Sequence, residues 1–193
     1  MKGRDARRQE LVEQMADHVL SVGLPGSSLR PLAAACGTSD RMLLYYFADK
    51  NELLSATLGA VAARLTQLLD AALPGVAPYA VLLPRICRLM AAAPMKPYLQ
   101  LWLELAALAS RRQEPYLTIA GQLGDGFLAW TAARLEVLHE AERLPTASLL
   151  LATVEGTVVL RAIGRESIVA AALGQLPDDE PSPARPRRPR KSR

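Results

Sequence analysis

Apolar residues recur along most of the chain at intervals of three and four positions, the spacing of one face of an α-helix. No segment shows the strict apolar and polar alternation that is typical of a half-buried strand. Because glycine and proline interrupt the pattern, the chain is predicted to be all-α, with about nine helices. Their expected bounds are 4–22, two short helices within 29–47, and then 50–73, 79–93, 96–112, 116–141, 146–163 and 165–175.

The stretch LRPLAAACGTSDRMLLYYF, residues 29–47, carries the signals of two short helices joined by a tight turn. Ser28 is a good N-cap residue for the first helix. Gly37 can adopt the left-handed conformation that ends a helix sharply. Thr38 or Ser39 then caps the second helix, which is expected to run to the end of the stretch.

Two short helices in this arrangement, after a longer first helix, predict a helix-turn-helix, which places its second helix in the DNA major groove. At about 100° per residue, Leu43 and Phe47 share a face and are expected to be buried, whereas Tyr45 points outward. A tyrosine hydroxyl at that position can bond to a phosphate. Residues 1–50 are therefore expected to form a three-helix DNA-binding domain.

The same stretch resembles the N-terminal signature of the TetR-type transcriptional regulators. That signature is an apolar-Ala pair, Gly-x-Ser, Leu-Tyr-x-x-Phe and Lys-x-x-Leu, and it appears here as LAAACGTSDRMLLYYFADKNELL. The resemblance covers about residues 8–55. Leu44 stands where the family usually has the tyrosine of its Leu-Tyr pair, so that phosphate contact is expected to be lost or moved to Tyr45 or Tyr46.

The resemblance implies DNA contacts for nine residues, four near base edges and five near phosphates. They are Arg30, Asp40, Arg41 and Met42, followed by Thr38, Ser39, Tyr45, Tyr46 and Lys50. Arginine pairs bidentately with guanine, which suits Arg41. Asp40 either accepts from cytosine or is a plain first-turn acid, and Lys50 is either a phosphate contact or a solvated lysine. For Tyr45 and Tyr46, core packing is the alternative, and it is favoured more for Tyr46, which lies nearer the buried face.

The formal net charge of +4 does not by itself indicate nucleic-acid binding. Six basic residues and no acid lie in the last 13 positions, whereas residues 1–180 carry 17 basic and 19 acidic residues. The segment 177–193, PDDEPSPARPRRPRKSR, is rich in proline and charge and is expected to be a disordered basic tail. It is either a solubilising or targeting extension or a weak, nonspecific phosphate contact.

Composition favours a cytoplasmic protein without a cofactor. The two cysteines, Cys36 and Cys87, form no CxxC motif and have no nearby histidine pair, so neither a disulfide framework nor a metal site is expected. The longest run without a charged residue, 71–84, is too short to span a bilayer and contains three prolines, so no membrane partner is expected. Only two histidines occur, with no nucleophile motif or paired carboxylates, and the chain is therefore not expected to be an enzyme.

Residues 51–176 are expected to form a helical domain that binds a small apolar ligand and dimerises. Predicted ligand-binding residues are the aromatic, methionine and acidic side chains Met90, Tyr98, Trp102, Glu104, Tyr116 and Trp130. The polar residues Gln100, Glu104 and Arg111 share one side of their helix, which predicts a solvated stripe. Alternatively, Glu104 points into a pocket and contacts a cationic or hydroxyl-bearing ligand.

A homodimer is expected because one helix-turn-helix reads few base pairs, and two recognition helices must lie about 34 to 36 Å apart on a two-fold site. The runs 116–141 and 146–163 are long and apolar, and the resemblance also implies a four-helix interface. The predicted interface residues are Leu123, Phe127, Leu149, Leu150, Val154, Gly156, Thr157 and Val158.

The sequence thus predicts a ligand-responsive transcriptional regulator. The favoured form is a homodimeric repressor that a small molecule releases from a palindromic double-stranded DNA operator. The alternative is a small-molecule-binding or adaptor protein of the same fold that has lost specific DNA binding, an interpretation that Leu44 keeps open.

Overall fold

In the computed structural model, which describes residues 2–174, nine α-helices follow one another without a strand over that range. This confirms the all-α prediction for the described part of the chain, and the predicted tail at 177–193 lies outside it. The helices are α1 (Lys2–Val22), α2 (Leu29–Ala35), α3 (Asp40–Tyr45), α4 (Lys50–Ala72), α5 (Tyr79–Met90), α6 (Lys96–Ser110), α7 (Tyr116–Arg134), α8 (Glu140–Ala162) and α9 (Glu166–Leu173). A single 3-10 turn, Ala93–Met95, precedes α6.

The buried side chains form two clusters that meet along α4. We call the one built around α1, α2 and α3 the N-terminal cluster and the one built around α5 and α8 the C-terminal cluster. The first half of α4, including Leu53 and Leu58, packs with α1, α2 and α3, while Leu69 near its end packs with α5 and α8. The boundary predicted at residues 50 and 51 therefore falls at the start of a helix that belongs to both clusters. Arg64 joins α4 to α1, since its guanidinium bonds to Asp17 at 2.6 Å and to Glu13 at 2.5 Å.

The largest departure from the predicted bounds lies between α7 and α8. The predicted helix 116–141 ends at Arg134, and the next helix begins at Glu140 rather than at 146, with Pro145 inside it. Tertiary bonds explain the difference, because Arg143 donates to the carbonyl oxygens of Ala132 and Leu135 at 2.9 and 2.6 Å. Both carbonyls lie at the end of α7, where the regular helical bonding stops, and that of Ala132 also accepts from the Leu135 amide at 3.3 Å.

Helix α8 is long and apolar enough to cross a membrane by length and composition alone. Core helices of soluble proteins meet the same criteria, and a single such helix is weak evidence for a membrane span. Its side chains Ala147, Leu150, Val154 and Val158 are buried in the C-terminal cluster, so one face of α8 is a core face.

Candidate functional site

The turn between α2 and α3 is built by local signals. Gly37 has φ of 60°, which ends α2 in the left-handed conformation. Ser39 is the residue that caps α3, since its Oγ accepts from the Met42 amide at 3.2 Å. Asp49 caps α4 in the same way, accepting from the Glu52 amide at 2.8 Å. Ser28 occupies the N-cap position of α2 but makes no side-chain capping bond there.

Helix α3 is held from beneath by two side chains. Leu43 is fully buried and Phe47, just beyond the helix, is 3% exposed, both in the N-terminal cluster. On the opposite side Met42 and Tyr45 are exposed, Tyr45 to 59%. The short helix therefore has an anchored face and a free outer face, as a recognition helix requires.

The structure places most of the predicted DNA-contacting side chains on the surface. Arg30, Ser39, Arg41, Met42, Tyr45 and Lys50 are exposed, and Thr38 and Asp40 are partly exposed. Tyr46 differs, because it is partly buried and packs against the N-terminal cluster. Its ring also meets that of Tyr45 edge to face, with centroids 5.3 Å apart. Tyr46 thus supports Tyr45 from the side.

Two arginines of α1 join this surface, and the sequence reasoning missed them. The Arg4 guanidinium lies 4.9 Å from the centroid of the Tyr45 ring, and it donates to the Tyr45 carbonyl oxygen at 3.1 Å. Arg8 lies over Phe47 and bonds to Glu52 at 2.7 Å. The basic N-terminal run MKGRDARR was the available signal, but only packing shows that α1 begins beside α3.

Glu52 links the start of α4 to the end of α3. Its carboxylate accepts from the Ala48 amide and from Arg8. These two interactions, the backbone bond first, hold the pKa of Glu52 below its usual value. The Glu52 carboxylate is therefore engaged within the domain, while the side chains of Arg4, Arg41 and Lys50 are exposed near α3.

Four of the six predicted ligand-binding residues line one cavity inside the C-terminal domain. Met90, Tyr98, Trp102 and Trp130 surround a space of about 70 Å³ between α4, α5, α6, α7 and α8. Tyr116 lies elsewhere, packed against the N-terminal cluster. The cavity also contains a carboxylate that sequence reasoning did not single out, Glu155 of α8. Its Oε2 accepts from the Trp102 indole N–H at 2.6 Å.

Glu104 departs from the solvated stripe that was predicted, and it does not line this cavity. Gln100 and Arg111 are exposed, but Glu104 is partly buried, and its Oε2 accepts from the Leu24 backbone amide at 2.7 Å. Leu24 follows Gly23 in the turn after α1, where φ of Gly23 is 77°. This left-handed backbone favours glycine, and a Cβ at that position would lie 2.6 Å from the same oxygen, so a larger residue would displace the Glu104 carboxylate. Glu104 thus connects α6 to the turn after α1.

The predicted dimer residues lie on two different sides of their helices. Leu150, Val154, Thr157 and Val158 are buried inside the subunit, so these four are not available to a second copy, whereas Leu123 and Phe127 are partly exposed. Leu149 and Gly156 are exposed. We correct the predicted interface accordingly, because helical periodicity finds an apolar face without telling which partner covers it.

The exposed side of α8 has its own apolar stripe, which we call the α8 seam. It consists of residues spaced alternately three and four apart, all exposed: Leu149, Ala152, Gly156, Val159 and Ile163. Spacing of three and four is that of helices that pack side by side, and small residues in the middle permit a close approach. A Cβ on Gly156 would meet nothing within 4 Å in the subunit, so the fold of one chain does not require glycine there.

The comparisons with known proteins agree with this architecture. The chain is 36% identical to the HTH-type transcriptional regulator BetI of Pseudomonas fluorescens over 61 residues. These residues make up 32% of this chain and 31% of BetI. It is 40% identical over 52 residues to BetI of Yersinia pestis. A transcriptional regulator from Rhodococcus sp. Rha1 superposes with a TM-score of 0.63 over 86% of this chain and 88% of its own, at 24% identity. The resemblance to the TetR-type regulators is confirmed.

The sequence similarity to BetI covers about a third of the chain, whereas the structural similarity covers most of it. The chain spans about a third of the length of the BetI proteins that it matches, and no protein-family model matches it. The multidrug-binding protein EbrR, solved in complex with imidazole, has a TM-score of 0.59 over 91% of this chain at 21% identity. At such identities the solved structures establish a common TetR-type fold, which extends through the C-terminal domain.

Proposed function

We propose that the chain is a DNA-binding transcriptional regulator that acts as a homodimer and responds to a small molecule. Residues 1–50 form the DNA-binding domain in this proposal, and 51–176 form the ligand-binding and dimerisation domain. The cytoplasm, where the DNA is, is the proposed location. The regulator names of its relatives favour this function over an enzymatic one.

The observation that carries the proposal is the two-sided burial of α3. Leu43 beneath it is fully buried, while Arg41 and Tyr45 on the other side are exposed beside Arg4. An exposed arginine suits the edge of guanine, and the tyrosine and arginine beside it suit phosphates. The α8 seam is the surface proposed to join two copies, so that two such helices meet successive turns of the duplex.

Repression with release by ligand is the proposed mode of action. A ligand that fits one conformation of the C-terminal domain better than another shifts the population toward it. If that conformation separates the two α3 helices from their spacing of about 34 to 36 Å, the affinity for operator falls. The proposed operator is palindromic, because a two-fold dimer reads a two-fold site.

Arg41→Ala tests the DNA-binding surface. Binding to DNA fragments that flank the chain's own gene is measured by fluorescence anisotropy, with nonspecific competitor and at several salt concentrations. Loss of a bidentate guanine contact is expected to cost about 1 to 3 kcal/mol, or roughly five- to hundredfold in affinity, with reduced discrimination at one base pair.

Arg165→Ala is the matched control, since it removes the same charge from an exposed residue between α8 and α9. Arg165 is far from α3. Its neighbour Glu166 lies near the C-terminal end of α1, and α3 lies near the opposite end of α1, where Arg4 contacts Tyr45. Affinity of this variant should stay within about twofold of the wild type. Equal affinities of the two variants, or no salt-sensitive specific complex with any fragment, would contradict the proposal and favour a binding protein that has lost its operator.

Leu44→Tyr is expected to strengthen DNA binding. Leu44 is exposed on α3 at the position where the resemblance implies a tyrosine, so the change supplies a hydroxyl that can bond to a phosphate. A hydrogen bond to a charged group contributes about 1.5 kcal/mol, which corresponds to roughly tenfold in affinity. Leu44→Phe adds the ring without the hydroxyl and should not reproduce the gain. The affinities of both variants are measured with the same anisotropy assay.

A further inference from the structure

The cavity around Trp102 holds a carboxylate in an apolar and aromatic setting. Glu155 projects from α8 among leucine, valine and aromatic side chains, and the residues that line the cavity include no lysine or arginine. Burial raises the pKa of Glu155, and the hydrogen bond from Trp102 offsets that effect only in part. Within residues 2–174, no ion pair that the structure describes involves this carboxylate. An acidic group is therefore placed where the lining of the cavity supplies no counter-charge.

A buried carboxylate without a cationic partner lowers the stability of the fold. A carboxylate taken out of water without a cationic partner is unfavourable, and a leucine or glutamine at this position of α8 would fill the space at lower cost. Buried ionisable groups of this kind cluster at functional sites. The feature thus points to a group that enters the cavity and supplies the missing positive charge.

The aromatic walls are held in place for such a group. Glu155 fixes the Trp102 indole, and the Trp130 indole N–H donates to Asp70 at 2.7 Å while Arg134 covers one of its faces at 4.1 Å. Arg134 is itself neutralised by an ion pair with Asp70. Together with Tyr98, the two indoles offer π faces, which attract organic cations most strongly when water is excluded.

An open cleft between α1, α6 and α8 lies beside the cavity. Met90, Leu99 and Val158 line both spaces, so they form the wall that separates them. The volume of about 70 Å³ suits a compact head group, and an apolar tail would extend into the cleft of about 920 Å³ by displacing these three side chains.

We propose that this cavity binds an organic cation, a quaternary or protonated amine with an apolar tail, with Glu155 as its counter-charge and Trp102 and Trp130 as its aromatic walls. The proposal rests on the proposed function, because it names the chemical class of the regulator's ligand. Glu104, which the sequence suggested for a cationic ligand, is engaged with Leu24 and lines the neighbouring cleft rather than the cavity that contains Glu155.

The chain offers a direct readout, because its two tryptophans both line the cavity. The full chain is titrated with phenyltrimethylammonium, which carries a permanent charge, and with its neutral isostere tert-butylbenzene, while intrinsic fluorescence is recorded. Saturable quenching is expected from the cation, with an affinity at least about tenfold above that of the isostere. Equal affinity for the two compounds, or no saturable change with the cation, would overturn the proposal.

Glu155→Gln removes the charge while keeping an oxygen that can accept from the Trp102 indole. Affinity for the cation should fall about tenfold or more, and binding of the isostere should change by less than about twofold. Trp130→Leu keeps Glu155 and should also weaken cation binding. It tests the same site if Glu155→Gln fails to fold. Unchanged cation binding in a folded Glu155→Gln variant would assign Glu155 a structural role and overturn the proposal.

These titrations contain no DNA, so their failure is separable from failure of the proposed function. A chain that binds its operator but not the cation refutes the ligand class alone. A chain that binds the cation but no DNA refutes the regulator and leaves this site standing.

Discussion

A glutamate at position 156 is expected to leave the chain monomeric. Gly156 lies in the middle of the α8 seam, with Leu149 and Ala152 before it and Val159 and Ile163 after it, all exposed in the single chain. A charged side chain placed between two closely packed helices would be buried without a partner, which an interface does not tolerate. In the single chain the same side chain projects into open space.

The expected result is measured by light scattering after size exclusion. The wild type should have about twice the mass of one 20.9 kDa chain, and Gly156→Glu should have the mass of one. Because a dimer gains roughly 10²- to 10⁴-fold from binding two half-sites at once, affinity for a two-fold operator should fall by at least about a hundredfold.

Ala63→Glu is the control for this change. Ala63 is an exposed small residue on α4, away from the α8 seam, so the same glutamate there should change neither mass nor operator affinity. Helix content of Gly156→Glu should not fall, since glycine in a helix interior is less favourable than glutamate by about 0.5 to 1 kcal/mol. A wild type that runs as a monomer at micromolar concentration would refute the seam as an interface, as would a dimeric Gly156→Glu variant.

Leu43→Ala is expected to lower the free energy of unfolding by about 2 to 5 kcal/mol. Leu43 is fully buried, with a solvent-accessible fraction of 0%. It belongs to the cluster in which Leu11, Leu32 and Phe47 join α3 to the helices beneath it. Removing three carbon atoms there leaves a cavity as well as losing buried surface.

Leu44→Ala provides a comparison within the same helix. Leu44 is the same residue type one position later, but it is 38% exposed, so its truncation should cost less than about 1 kcal/mol. Both variants are unfolded in urea at one fixed protein concentration, because stability of a dimer depends on concentration. Similar costs at positions 43 and 44 would mean that α3 does not have the orientation described here.

The N-terminal domain could be predicted from sequence because its signals are local. Ser39, Asp49 and Gly37 each act within four residues of their own position, through capping bonds or through a left-handed backbone. Alternation of buried and exposed positions around Leu43 follows from helix geometry alone. Arg4 was missed because its position beside Tyr45 depends on how α1 packs, at a sequence separation of 41 residues.

The C-terminal domain was less predictable because its decisive contacts are distant in sequence. The boundary between α7 and α8 depends on Arg143 and on the pairing of Ala77 with Leu135, neither of which periodicity can reveal. Glu155 carries no motif and becomes notable only when four other helices close around it. The apolar faces of α8 were recognised, but which one the subunit itself covers is decided by α5.

Helix α6 connects the two halves of the molecule over a very short distance. Trp102 and Glu104 are two residues apart, which places them about 3 Å apart along the axis and on nearly opposite sides of the helix. One is tied to α8 through Glu155 at 2.6 Å, and the other is tied to the turn after α1 through Leu24 at 2.7 Å. A small rotation of α6 about its axis therefore displaces both attachments together.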